Sequence, residues 1–139
     1  MKLYISTFVI LLCLLFVSCD KNPAEIVSPD TFEALLITTS NAVIVDVRTE
    51  EEMKEGYIEG AIPADIREDD FAAKVSSWDP AKTYFIYCRS GKRSRKAYDQ
   101  MQKAGIEHIY ELKGGFNAWK KAGKPVFNDQ TPEEENNNN

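Results

Sequence analysis

Residues 83–96 read TYFIYCRSGKRSRK, so a run of β-branched and aromatic residues changes at Cys88 into a stretch rich in basic residues. The apolar half predicts a strand that is buried on both faces, as the strands of parallel sheets are. A helix is predicted over residues 94–104, where apolar and small side chains recur at helical spacing and a glycine follows. Cys88 therefore stands where a buried strand ends and a helix is about to begin.

Strand and helix patterns alternate through the rest of the chain. Further strands are predicted at 42–47 and 108–112, with shorter ones at 26–27 and within 58–63. Helices are indicated by capping residues and by apolar side chains at helical spacing. These signals are Ser28, Thr49, the face of Phe71, Val75 and Trp78, and the segment around Trp119. The alternation predicts an α/β domain with a mainly parallel sheet and right-handed crossovers.

Length and composition limit the classes of protein to which the chain can belong. Its 139 residues fit one domain, and 11% aromatic residues supply core material that disordered chains lack. Three cysteines without paired spacings are too few for a disulfide scaffold or a zinc ribbon. The one histidine, His108, is predicted to be structural. The net charge of −5 argues against general binding to nucleic acid.

The first nineteen residues are typical of an export signal. Lys2 precedes an apolar run that closes in Ser18-Cys19, a pattern that resembles the lipobox of bacterial lipoproteins. We expect residues 1–18 to be a cleaved signal peptide, Cys19 to be lipidated, and residues 19–24 to include a linker. The alternative is an uncleaved anchor helix, but the apolar run is shorter than the ~20 residues that span a bilayer.

A lipid at the N-terminus places the domain in the cell envelope, held to a membrane and facing the periplasm or the exterior. The domain itself is predicted over residues 25–127. Residues 128–139 are acidic and asparagine-rich, a composition that predicts a disordered tail.

The loop after the buried strand is the candidate site of chemistry. In an open α/β sheet, ligands bind beyond the carboxyl ends of the strands, where Cys88 stands. The following helix start and Gly91 can turn backbone N–H groups toward an anion. Residues 88–96 contain five basic residues and no acid, which should lower the pKa of Cys88 and attract anionic substrates. The alternative is a buried structural cysteine beside a solvated helix end.

Three stretches together resemble the rhodanese family of sulfurtransferases. They are DVR at 46–48 with GYIEGAIP at 56–63, CRSGKRS at 88–94, and LKGGFNAW at 112–119. The resemblance covers about residues 24–127 and implies a central, mainly parallel sheet of about five strands flanked by helices. It also implies a monomer that needs no cofactor and no metal.

The same resemblance implies a mechanism and a set of site residues. Cys88 would take a sulfur atom from thiosulfate or a related anionic donor as a persulfide, and a thiol or cyanide would then accept it. Arg89 and Arg93, with Lys92, would bind the sulfonate, and Asp46 and Arg48 would brace the loop or the sheet edge. The substrate-binding loop comprises Arg89, Ser90, Gly91, Lys92, Arg93 and Ser94.

Three other functions remain open at this point. A rhodanese-like module without turnover, used for binding or as a sulfur carrier, would have the same sequence pattern. A phosphatase or arsenate reductase would need arginine six residues after the cysteine, where this chain has Ser94. A redox thiol protein would need a resolving cysteine, and Cys88 has none within the predicted domain.

Overall fold

The computed structural model describes residues 25–128, and their five strands form one sheet in which every strand pairs in parallel with its neighbours. The strand order is β1-β5-β4-β2-β3, so β4 occupies the centre. The strands are β1 Glu25–Val27, β2 Ala42–Asp46, β3 Ile62–Pro63, β4 Thr83–Tyr87 and β5 Ile109–Leu112. The predicted α/β fold with a parallel sheet of about five strands is confirmed.

Four helices connect successive strands, and a fifth follows the last strand. They are α1 Pro29–Thr38, α2 Glu50–Lys54, α3 Phe71–Ser76, α4 Lys92–Lys103 and α5 Gly115–Lys121. The Ser28 hydroxyl caps α1, and a capping box of Thr49 and Glu52 starts α2, as the sequence predicts. The start predicted for the helix after Cys88, at residue 94, is wrong by two residues. Gly91 caps α4 without a side chain, so the cap lacks the polar side chain that usually marks a helix start.

The sheet separates two apolar layers, and alternation along β4 assigns its side chains to them. Tyr84, Ile86 and then Cys88 face the layer beneath α3 and α4, whereas Phe85 and Tyr87 face the layer beneath α1 and α5. The second layer also holds Phe32, Leu112, Phe116 and Trp119. Trp119 is therefore a core residue, as predicted, and its indole donates a hydrogen bond to the carbonyl of Pro125.

Several sequence expectations concern residues outside the described range. The signal peptide at 1–18, the lipidation site at Cys19, the rest of the linker to residue 24, and the tail from residue 129 onward all lie there. Within residues 25–128, no helix combines the length and the hydropathy that crossing a membrane requires.

Candidate active site

The candidate active site is built around Cys88, which follows β4 at the carboxyl edge of the sheet. Gly91 adopts a φ of +99°, a conformation that favours glycine, and turns the loop back over the sulfur before α4 begins. The amide of Gly91 donates to Sγ of Cys88 at 3.1 Å, and the Ser94 hydroxyl lies 3.6 Å from the same sulfur. The loop therefore aims several donors at one thiol.

Burial and hydrogen bonding act on the Cys88 thiol in opposite directions. Only 1% of the residue is exposed, and burial raises the pKa because it disfavours the thiolate. Hydrogen bonds from the amides of Ser94, Ser90 and Gly91, and from the Ser94 hydroxyl, outweigh burial and lower the pKa. The expected lowering of the pKa therefore comes first from neutral donors of the loop rather than from its basic side chains.

The loop is clamped from outside by the start of α5. The amide of Phe116 donates to the carbonyl of Cys88 at 2.8 Å, and the amide of Asn117 donates to the carbonyl of Arg89 at 3.1 Å. Gly115 makes this approach possible, since a Cβ there would collide with the Cys88 carbonyl oxygen and lie 2.8 Å from the amide nitrogen of Ser90. The glycine pair at 114–115 reads as a turn in the sequence, but Gly115 also supports the loop that carries Cys88.

Arg93 is held in place by Glu52, which lies in the capping box of α2. The guanidinium donates to both carboxylate oxygens, at 2.6 and 2.7 Å. The hydrogen bond from Arg93 is the main reason that the pKa of Glu52 falls to about 2. The charges of Arg93 and of the Cys88 thiolate also interact favourably. Arg93 is therefore oriented beside the site, and an anion would share it with the carboxylate of Glu52, to which the sequence analysis assigns no role in the site.

Asp46 and Arg48 form a buried ion pair behind the loop. The Arg48 side chain donates to both carboxylate oxygens of Asp46, with the shortest contact at 2.6 Å. It also donates to the carbonyl of Glu52, within α2, and to the carbonyl of Gly56, just after α2. Neither Asp46 nor Arg48 contacts the sulfur, so their place in the structure is to hold α2 and, through Glu52, Arg93.

The remaining residues of the predicted binding loop are on the surface. Arg89, Ser90 and Lys92 are exposed, and within residues 25–128 no ion pair engages Arg89 or Lys92. These two exposed cations lie one and four residues after Cys88. They are therefore available to an incoming anion, whereas Gly91 and Ser94 contact the sulfur directly.

The site contains a second acid that sequence reasoning did not identify. Glu111 lies in β5, is 3% exposed, and accepts a hydrogen bond from Ser94 at 2.8 Å. The only sequence signal for this role was the presence of an acidic residue within a short apolar strand. His108 is exposed and precedes β5, at the edge of the sheet opposite to Cys88. Among the described residues, no cluster of three or more His, Cys, Asp or Glu could hold a metal ion.

Comparison with known proteins agrees with this architecture. A family model described as the rhodanese-like domain matches residues 28–122. Thiosulfate sulfurtransferase 18 of Arabidopsis thaliana is 31% identical over 131 residues, which cover 86% of this chain and 94% of the relative. A sulfurtransferase of Allochromatium vinosum is 28% identical over 72% of this chain and 92% of its own length. The solution structure of a rhodanese-like domain from Anabaena is 26% identical, with a TM-score of 0.67, and covers 84% of this chain and 91% of that domain.

Proposed function

The chain belongs to the rhodanese-like domain family, and from this premise we propose that it is a sulfurtransferase acting through a persulfide on Cys88. The donor is thiosulfate or a related anion, and the acceptor is a thiol or cyanide. The observation that carries the proposal is the Cys88 thiol, whose pKa is lowered by donors converging on Sγ. A thiolate is the form of cysteine that attacks sulfur.

The first step transfers the outer sulfur of thiosulfate to the protein. The Cys88 thiolate attacks that sulfur and forms a new S–S bond, while the S–S bond of thiosulfate breaks and sulfite leaves with its electron pair. The product is an anionic persulfide, so the total charge is unchanged. The donors at Gly91 and Ser94 that stabilise the thiolate also suit this anion, because they are already oriented before it forms.

The second step returns Cys88 to its starting state. Cyanide or a thiolate attacks the terminal sulfur, the persulfide bond breaks, and the Cys88 thiolate leaves with the electron pair. Cyanide then departs as thiocyanate, and a thiolate departs as a persulfide. Neither step needs a general base, provided that Cys88 is ionised before the donor arrives.

Attraction of the anionic donor is assigned to the cations around the loop. Arg89 and Lys92 are exposed and free of ion pairs among the described residues, and Arg93 is fixed in orientation by Glu52. A guanidinium group can donate to two sulfonate oxygens at once through its planar fork, whereas an ammonium acts as a point charge. We therefore assign sulfonate binding chiefly to Arg89 and Arg93.

The phosphatase alternative lacks the residue that its chemistry needs. A phosphatase loop would direct an arginine into the oxyanion from six positions after the cysteine. This position is Ser94, whose neutral hydroxyl already contacts Glu111 and the carbonyl of Gly91. The geometry therefore supports sulfur transfer better than phosphoryl transfer.

A mass measurement tests the proposed function. The full chain is incubated with thiosulfate and weighed intact, and the adduct is located on the peptide that contains Cys88 but neither Cys13 nor Cys19. We expect a gain of one sulfur atom that disappears when cyanide is added, and no gain at that peptide in the Cys88→Ser variant. Absence of the adduct with both thiosulfate and mercaptopyruvate would overturn the sulfurtransferase assignment. The rhodanese-like binding module without turnover would then be the remaining function.

We also propose that the protein is anchored in the cell envelope by a lipid on Cys19. The support is the sequence pattern of residues 1–19 alone, which precedes the described residues. The full chain, expressed in bacteria supplied with labelled palmitate, should incorporate the label, whereas the Cys19→Ala variant should not. Equal labelling of the two proteins would refute lipidation at this residue.

A further inference from the structure

Glu111 and Cys88 are two buried acidic groups joined by one hydroxyl. The Ser94 hydroxyl lies 2.8 Å from Oε1 of Glu111 and 3.6 Å from Sγ of Cys88. Glu111 is 3% exposed and Cys88 is 1% exposed, so water solvates neither group well. The mechanism described above uses Cys88 and gives Glu111 no role.

The hydroxyl of Ser94 has one proton and three acceptors around it. They are the Glu111 carboxylate, the sulfur of Cys88, and the carbonyl of Gly91 at 3.1 Å. When Glu111 is ionised, its oxygen is the nearest and most strongly accepting partner, and the hydroxyl points away from sulfur. When Glu111 is protonated, it can donate to Ser94, and the Ser94 proton is then free to reach the thiolate.

The surroundings of Glu111 favour a carboxyl that can hold a proton. Its sheet neighbours are Ile26 on β1 and Ile86 on β4, both apolar. Burial raises the pKa of Glu111, and the charge of Asp99 adds to this effect, whereas Ser94 and Arg95 oppose it.

The second carboxyl oxygen of Glu111 is incompletely satisfied. Arg95 lies 2.9 Å from Oε2, but the pair lacks the geometry of a hydrogen bond. Tyr98, one turn along the same face of α4, also feels the charge of Glu111. Arg95, Tyr98 and Asp99 on α4 are thus the titratable groups that face Glu111, together with Cys88 in the loop.

We propose that Glu111 is a positioning residue that, through Ser94, holds the proton given up by Cys88, so that the two buried groups share one negative charge. This rests on the proposed function only in that the thiolate of Cys88 is the reacting form. In the thiol state, Sγ–H faces the Ser94 oxygen and the Ser94 hydroxyl donates to the carboxylate. In the thiolate state, the proton of Sγ has moved to Ser94 and that of Ser94 to Oε1. Each of the two protons moves to the neighbouring atom, so the net result is the transfer of one proton from Cys88 to Glu111, and no bond between heavy atoms changes.

The pH dependence of Cys88 alkylation tests this coupling without any sulfur donor. Iodoacetamide is applied to the full chain between acid and alkaline pH, and the rate is followed on the peptide that contains Cys88 alone. The Glu111→Gln variant is neutral and can still donate to Ser94, so we expect the midpoint to fall by about one pH unit. The matched control is Glu107→Gln, which removes one exposed carboxylate from the segment before β5 and should leave the midpoint in place.

A second substitution separates coupling through the hydroxyl from simple repulsion between charges. Ser94→Ala should raise the midpoint for Cys88, because the thiolate loses a donor. In that background, Glu111→Gln should lower the midpoint by less than half as much as it does in the wild type. An equal shift in both backgrounds would overturn the relay, as would a wild-type shift no larger than that of Glu107→Gln.

A measurement on the wild type keeps the proposal testable if a variant fails to fold. The carboxyl ¹³C shift of Glu111 should change over the same pH range in which Cys88 ionises, and alkylation of Cys88 to a neutral thioether should abolish that change. If the Glu111 carboxyl shift changed with pH in the same way before and after alkylation of Cys88, the sharing of charge would be refuted. None of these readouts requires persulfide formation, so failure of sulfur loading alone would count against the proposed function and not against the relay.

Discussion

Replacement of Gly115 by alanine brings a methyl group against the backbone of the loop that carries Cys88. The added Cβ would collide with the carbonyl oxygen of Cys88 and lie 2.8 Å from the carbonyl carbon of Arg89 and the amide nitrogen of Ser90. All three are backbone atoms, so no side-chain rotation relieves the contact. The loop and the start of α5 must therefore move apart.

Two effects would lower the stability of the Gly115→Ala variant: the unfavourable backbone conformation of the alanine and the displacement of the loop from α5. Gly115 has a φ of +61°, which alone costs an alanine roughly 1–2 kcal/mol. Separation of the loop from α5 strains the packing by roughly 1–3 kcal/mol and weakens the hydrogen bond from Phe116 to Cys88, worth about 1 kcal/mol. We therefore expect Gly115→Ala to lower the free energy of unfolding by roughly 3–6 kcal/mol.

Gly123 supplies the matched control. Its φ is +70°, close to that of Gly115, but a Cβ there would meet nothing within 4 Å. Gly123→Ala should thus lose only the conformational term, roughly 1–2 kcal/mol. Urea denaturation gives both values, and Cys88 alkylation measured in the folded range should slow only in Gly115→Ala. Equal destabilisation by the two variants, with unchanged alkylation, would refute the view that Gly115 supports the loop.

Three further predictions follow from the ion pairs and the exposed cations. The pKa of Glu52 in the folded protein is about 2, below its ordinary value of 4.5. Its contribution to stability is therefore fully present above pH 4.5 and is lost as the pH falls toward 2. Urea titrations should show that the free energy of unfolding falls more steeply over this range in the wild type than in Glu52→Gln. Arg48→Met leaves the Asp46 carboxylate buried without its partner and should cost roughly 3–5 kcal/mol by the same assay, whereas a cost below about 1 kcal/mol would contradict a bracing role. Arg89→Gln should raise the thiosulfate concentration for half-maximal sulfur loading several-fold, and Lys103→Gln, at the far end of α4, should not.

The elements that the sequence predicts well are those whose signals are local. The buried strand before Cys88 and the capping box of Thr49 and Glu52 depend on neighbouring residues, and both are present. Because a parallel sheet places its ligand site at the carboxyl ends of the strands, the position of Cys88 follows from the strand alone. The three family-like motifs add the order of the elements, and the match to the rhodanese-like model over residues 28–122 agrees.

The parts of the site that sequence reasoning missed depend on contacts between distant segments. Arg93 and Glu52 are 41 positions apart, and Ser94 and Glu111 are 17 apart. No periodicity or spacing in the sequence predicts such pairs, because the contact depends on where the fold places α2 and β5 relative to the loop after β4. The sequence therefore predicts Arg93 as a sulfonate ligand but not its partner, and the structure shows the Arg93 guanidinium bound to the Glu52 carboxylate.

Different groups around Cys88 stabilise the thiolate and attract the anion, although the sequence pattern suggests that the basic residues do both. The thiolate is stabilised by short-range neutral donors, at Ser94, Ser90 and Gly91, which are fixed by the loop. Arg89 and Lys92 are exposed, and solvent and salt screen charges in that position. They act at longer range, on an anion that has not yet arrived. A buried arginine beside the sulfur would stabilise the thiolate more strongly but would also make it a poorer nucleophile, since nucleophilicity falls with the pKa of the thiol. Under the proposed function, neutral donors at the sulfur and exposed cations on the loop would attract the anionic donor and weaken the attack less than a buried arginine would.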